Sequence, residues 1–114
     1  MHNTRCVGGQ YEAKAAELLR QKGYDILDMN YACKTGEIDI VASKDGCLVF
    51  CEVKYRKNTR YGYPSEAVDH RKADRIRRTA EYYLVTNKFP PNTRVRFDVI
   101  AYLGEEAEHI EDAF

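Results

Sequence analysis

The segment 47–55 constrains the fold more than any other part of the chain, because Leu48, Val49, Phe50 and Cys51 are apolar at four successive positions. Side chains alternate between the two faces of a strand, so Leu48 and Phe50 take one face, and Val49 and Cys51 the other. Both faces then need cover, which a sheet with one wet side cannot give. Farther along, the strand turns polar on one side only. Glu52 and Lys54 continue the face of Leu48 and Phe50, while Val53 and Tyr55 continue the other. A covered strand that ends in a carboxylate and an ammonium opens into a crevice rather than onto a free surface.

The flanking segments supply the cover. Tyr11, Ala15, Leu18 and Leu19 recur at helical spacing and Gly23 follows as a terminator, which predicts a helix over about 8–22. Residues 24–30 read as a short strand and 32–36 as a loop. Residues 37–42 alternate polar and apolar in their first half, and Lys44-Asp45-Gly46 supplies a turn, so 37–42 and 47–55 are expected to form an antiparallel hairpin. In it Glu37, Asp39 and Val41 share one face and Ile38, Ile40 and Ala42 the other. The stretch 57–64, with Gly62 and Pro64, reads as a loop. Asp69 can cap a second helix, in which Ala73, Ile76, Ala80, Tyr83 and Leu84 share a side through about residue 86. Beyond Pro90-Pro91, residues 95–101 form a last strand. Helix, three strands, helix, strand predicts a single α/β domain over residues 1–114, a sandwich around a mixed sheet.

A chain of 114 residues with 44% hydrophobic content has the size of one domain with one modest core. Its apolar runs fall far short of the roughly 20 residues that span a bilayer, and no apolar signal region follows Met1. These features predict a cytoplasmic protein without a membrane partner. Cys6, Cys33, Cys47 and Cys51 form no CxxC pair, which argues against a zinc or redox motif and for small apolar residues in a reducing compartment. Net charge is zero, yet nine of the 18 Lys and Arg residues lie between Lys54 and Arg78, against three acids. After Leu103 the balance reverses: Glu105, Glu106, Glu108, Glu111 and Asp112 read as a solvated acidic tail over about 104–114. A basic window is commonly an exposed helix face. Here it begins at Lys54, inside the crevice, which favours a polyanion that touches both.

The residue types suit metal-assisted hydrolysis. A cation such as Mg2+ binds one or two carboxylates and keeps water and phosphate oxygens as its other ligands; Asp39 and Glu52 are the candidates, with Lys54 placed to orient a water or stabilise developing charge. The plain alternative is a Glu52–Lys54 ion pair at a strand end. Glu12 can reach the crevice as an outer carboxylate or lie on a helix surface, and Glu37 is a second acid on the Asp39 face or a solvated strand end. Arg56, Lys57, Arg60, Arg71, Lys72, Arg75 and Arg78 are candidates for phosphate contacts. Tyr61 and Tyr63 can stack on bases or only pack, and Asp98, among apolar neighbours, suggests structural hydrogen bonding near the sheet edge.

Asp39 followed by Glu52-Val53-Lys54 resembles the PD-(D/E)xK signature of restriction-endonuclease-like nucleases, with Ile38 where the signature has proline. Gly36-Glu37-Ile38-Asp39, the run from Val49 to Arg56, and Gly62 together resemble the YraN-like family of predicted endonucleases, over about residues 9–98. The resemblance implies a restriction-endonuclease-like α/β/α sandwich with a central mixed β-sheet. It also implies Mg2+ or Mn2+ on Asp39, Glu52 and the Val53 carbonyl, with water attack on DNA assisted by Lys54. Archaeal Holliday-junction resolvases are similar, and their first-helix glutamate corresponds to Glu12. That likeness implies branched DNA in repair or recombination as a substrate, and a homodimer, since two nicks need two sites. A nucleic-acid-binding module that keeps the fold without turnover is the second reading.

Overall fold

The computed structural model describes residues 4–58, 60 and 68–114, with side chains from Gly9 onward. In chain order the elements are α1 (Thr4–Gln21), β1 (Asp25–Cys33), β2 (Gly36–Lys44), β3 (Cys47–Arg56), α2 (His70–Thr86), β4 (Arg94–Leu103) and β5 (Glu106–Ile110). The strands form one sheet in the order β1-β2-β3-β4-β5. β1, β2 and β3 are an antiparallel meander, β3 and β4 run parallel, and β5 returns antiparallel to β4. Turn chemistry sets the meander. Asp45 and Gly46 both take positive φ, 51° and 77°, as a two-residue hairpin turn requires. A parallel neighbour needs a long crossover, and α2 lies within the β3–β4 connection.

One helix covers each face. Tyr11, Ala15, Ala16 and Leu19 of α1 pack on Ile40, Ala42, Val49, Cys51 and Ile100. Ile76, Ala80 and Tyr83 of α2 pack on Ile38, Val41, Leu48 and Phe50. The apolar run of β3 is divided between the two cores as the alternation predicts, and Phe50 meets both Phe97 and Tyr83 rings. α2 begins where expected: the Asp69 side chain accepts a hydrogen bond from Lys72 N at 3.0 Å. Cys47 and Cys51 are buried free thiols, and burial raises the Cys51 thiol well above its ordinary range.

Three expectations need correction. β1 continues to Cys33, so the loop expected over 32–36 shrinks to a turn at Lys34 and Thr35. The acidic segment after Leu103 is a strand, β5, rather than a tail. Its acids do stay in water, but His109 turns inward and Phe114 reaches Phe97. Finally, Ile38, Ile40 and Ala42 do not share a face. Ile38 belongs to the α2 core and Ile40 to the α1 core, and their partners on β1, Tyr31 and Met29, divide the same way. The alternation breaks at the level of Asn30 and Asp39, where Asn30 has a φ of 54° within the strand.

Asp98 has the structural, hydrogen-bonding role expected, although it sits on the fourth strand of five and not at the edge. It is fully buried and accepts from Arg96 Nε and Nη2, both at 2.9 Å, from His109 Nε2 at 2.7 Å and from the Asp112 N–H at 3.0 Å. Burial alone would raise this carboxyl; His109, Arg96 and the Asp112 N–H more than offset it and hold it at about 2. Its contribution is therefore present above the ordinary carboxylate range and lost as pH falls from about 4 toward 2. Asp98→Asn should lower stability by about 3 kcal/mol, because it leaves the half-buried Arg96 and the buried ring of His109 facing a neutral group. Asp69→Ala should remove only a helix cap, about 1 kcal/mol. Urea unfolding at pH 7 and pH 3 checks both, with the Asp98→Asn deficit shrinking at the lower pH.

Candidate active site

The β2–β3 ladder runs from Lys44↔Cys47 to Ile40↔Cys51 and stops. Continuing the register would set Ile38 opposite Val53. Instead the Val53 N–H donates to Asp39 Oδ2 at 2.8 Å. A side chain has taken the place of a backbone acceptor, and a cleft opens where the two strands cease to pair. It measures about 310 Å³ and draws on four elements: Glu12 of α1; Gly36, Glu37 and Asp39 of β2; Glu52, Val53 and Lys54 of β3; Lys72, Arg75 and Ile76 of α2.

Glu52 is only 3% exposed. Its Oε2 lies 3.3 Å from Lys54 Nζ and 3.2 Å from Lys72 Nζ, so the expected same-face ion pair exists and has a second cation. Glu12 enters from α1 with Asn30 and Asp39 as hydrogen-bond neighbours. Burial raises the Glu12 carboxyl, and these hydrogen bonds work against the rise. Asp39 is pushed up to about 7, first by burial and then by the charge on Glu52, against the opposing Val53 hydrogen bond. Lys54 is pulled down, chiefly by burial. Two carboxyl groups with raised affinity for protons thus stand beside a third, Glu52, that two ammonium groups hold. Among the described residues no three His, Cys, Asp or Glu side chains form a ready-made metal cage.

The structure brings Glu12, Asp39, Glu52, Val53, Lys54, Lys72 and Arg75 together. Arg71 and Arg78 are exposed on α2 outside the cleft; Arg56, the last residue of β3, is exposed, as are Lys57 and Arg60 beyond it. Arg77, part of the same basic window, turns away: it pairs with Asp74 at 3.5 Å and lies over the Phe97 and Phe114 rings. Gly62, Tyr61 and Tyr63 lie outside the described residues. Gly36 is needed at the rim, since at its φ of 149° a Cβ would come within 3.1 Å of the Arg75 stem. Two features escaped the sequence. Lys72 contacts Glu52 as well as facing solvent. Asn30 adopts the left-handed conformation beside Asp39; asparagine tolerates it best of the non-glycine residues, but nothing in the local pattern announces it.

A five-stranded mixed sheet with one helix on each face, opening into a carboxylate-lined cleft at the end of its central hairpin, is an α/β architecture compatible with a restriction-endonuclease-like fold. The model of the Uncharacterised protein family UPF0102 matches residues 11–102. A UPF0102 protein of Lachnoclostridium phytofermentans is 49% identical over 112 residues, covering 98% of this chain and 95% of the relative. Another, from Fusobacterium nucleatum, is 46% identical over 110 residues, covering 96% and 92%, and one from Persephonella marina is 42% identical over 107 residues, covering 94% and 91%. The chain belongs to the UPF0102 family, the YraN-like family of the sequence resemblance. No described helix is long and apolar enough to cross a membrane.

The raised Asp39 carboxyl fixes a pH dependence. Between about pH 4 and 7 the folded chain holds a proton on Asp39 that the unfolded chain has released, so this group's effect on stability becomes more unfavourable as pH rises through that window. Asp39→Asn should remove the effect. The melting temperature of the variant minus that of the parent, in metal-free buffer, should grow from pH 4.5 to 7.5 and then level off; a constant offset would contradict the assignment.

Proposed function

We propose that this protein is a Mg2+- or Mn2+-dependent endonuclease that hydrolyses DNA phosphodiester bonds, on branched or otherwise structured DNA. The observation that carries the reading is the convergence of Asp39, Glu52 and Lys54, with Glu12 behind Asp39, in a cleft bordered by Lys72 and Arg75. The donor set fits a hard divalent cation. All its candidate ligand atoms are oxygens, and the burial and the Glu52 charge that together raise Asp39 disfavour an anion that an added cation would stabilise. A complete protein cage is unnecessary, because Mg2+ keeps water and substrate oxygens among its ligands.

Asp39, Glu52 and the Val53 carbonyl would hold the cation, which when bound would acidify a water and neutralise charge growing on the phosphate. The chain's own groups do the rest. The Val53 N–H fixes the orientation of Asp39, and Glu12 stands beside it as an outer carboxyl group. Glu52 holds the Lys54 ammonium at the cleft, where it can orient the attacking water and stabilise the phosphorane-like charge. Arg75 and the exposed cations of α2 offer sequence-independent contacts to the phosphate backbone. The closeness of the lysine to the acids favours turnover over binding alone, the same fold serving as a module that grips nucleic acid without cutting it. The chemistry of the cleft is common to DNA and RNA, and the resemblance to resolvases favours DNA.

Purified protein incubated with branched, flapped, single-stranded and duplex DNA in Mg2+ or Mn2+ should cleave at least one of them. Asp39→Ala, Glu52→Ala and Lys54→Ala should each lose at least about a hundredfold in rate. Cleavage that survives intact in Asp39→Ala sinks the hydrolase reading, whereas salt-sensitive binding with neither cutting nor cation uptake identifies the binding module. Cation uptake also has a proton signature. At pH 6, below the Asp39 value of about 7, Mn2+ should displace a proton, and at pH 8.5 it should not. Calorimetry in buffers of different ionisation enthalpy reads this directly.

A further inference from the structure

We propose that Lys72 is a displaceable counter-ion of Glu52, so that cation uptake in the cleft releases it to grip a substrate phosphate. The inference rests on the cation-assisted reading above and assigns a regulatory step to the same site. Lys72 Nζ lies 3.2 Å from Glu52 Oε2, the oxygen that Lys54 Nζ also meets, at 3.3 Å. Two ammonium groups on one carboxylate oxygen suit a cleft that gathers Glu12, Asp39 and Glu52. With a divalent cation on Asp39 and Glu52 the balance reverses, because two further positive charges then sit beside two ammonium groups with fewer carboxylate oxygens to share. One ammonium must give way.

Lys72 is the one placed to leave. Its side chain is 39% exposed, against 21% for Lys54. It projects from the first turns of α2, whereas Lys54 is held on the covered strand. Its four-carbon stem lets the ammonium change partners without moving the helix. Once off Glu52, it joins Arg75 at the cleft and the exposed Arg71 and Arg78 on the same helix. There a phosphodiester supplies the negative charge that Glu52 has given to the cation. No covalent bond changes; the step is an exchange of ionic partners. In the cation-free state the same contact keeps Lys72 from the backbone of a nucleic acid, so tight binding and readiness to cut arise together.

Mn2+ titration of the full chain by calorimetry, at pH 8 and low salt, tests the idea in the parent, Lys72→Met and Lys72→Arg. Loss of the competing ammonium should tighten Mn2+ binding of Lys72→Met roughly three- to tenfold, and Lys72→Arg should match the parent. In the parent, Mn2+ should also raise acylation of Lys72 by an amine-reactive ester several-fold, read by mass spectrometry; this measurement decides the matter even if a variant fails to fold. Mn2+ binding that is equal or weaker in folded Lys72→Met, or Lys72 labelling that ignores bound Mn2+, overturns the proposal alone and leaves the hydrolase reading standing. Absence of Mn2+ uptake by every protein overturns both.

Discussion

The 2.8 Å hydrogen bond from the Val53 N–H to Asp39 Oδ2 replaces a rung of the sheet, and the site exists because it does. A buried backbone donor needs a partner, so a ladder that ends inside a protein must hand its next N–H to something else. Here the acceptor is a carboxylate from the strand that has just stopped pairing. The exchange has three consequences at once. It frees the ends of β2 and β3 from each other, it holds Asp39 at the mouth of the gap, and it leaves Glu52 between Asp39 and α2. The shift in side-chain direction at Asn30 and Asp39 belongs to the same event, since it sends Ile38 to one core and Ile40 to the other. A left-handed asparagine within a strand costs on the order of 1 kcal/mol or more, and it sits beside Asp39, where the strands part at the cleft.

Two aspartates in one sheet show how surroundings decide what a carboxyl group does. Asp98 is fully buried but saturated with donors, and it is held at about 2. Asp39 has one backbone donor at a defined distance and two carboxylates for neighbours, and it is pushed up to about 7. The first joins Arg96 on β4 to His109 on β5 and so ties the edge strand to the sheet. The second is left with unmet demand for positive charge. Structural carboxylates are satisfied within the fold, and functional ones are left for a ligand to satisfy. On that criterion the cleft at Asp39, and not the more deeply buried Asp98 cluster, is where an external cation has most to offer.

The sequence revealed the covered strand and the acids at its end because both depend on strict alternation within one segment. Leu48, Phe50, Glu52 and Lys54 share the α2 side, and Val49, Cys51, Val53 and Tyr55 the α1 side, as period two requires. The Asp69 cap was equally legible, since capping is local chemistry. What stayed hidden depends on partners far along the chain. Alternation on β2 failed at Asp39 because Asn30, nine residues upstream, takes positive φ beside it. β5 resembles a tail in the sequence because a strand with exposed Glu106 and Glu108 has too few apolar positions to show a period; His109 becomes an inward anchor only once Asp98 lies opposite. Lys72 looked like one more cation on a basic helix face, and only the packing of α2 over β3 sets it against Glu52.

The charge pattern also acquires a direction. β5, with its exposed Glu106 and Glu108, lies two strands from β3, so an acidic edge stands roughly 10 Å from the strand that carries Glu52 and Lys54. That is about one Debye length at 0.1 M salt, close enough for the edge to be felt at the cleft mouth. A polyanion would be repelled from the β5 side and drawn to the α2 side, where Arg71, Arg75 and Arg78 stand. Arg77 is withheld from that face by Asp74 and the Phe97 and Phe114 rings, so the attracting charges are confined to the side of α2 that borders the cleft. Zero net charge is thus compatible with strong local attraction, because the two signs are sorted to opposite flanks of one sheet. On the proposed reading, such sorting would set a bound backbone along α2 and over the end of β3, which would bring a phosphate past Lys72 before it reached Asp39.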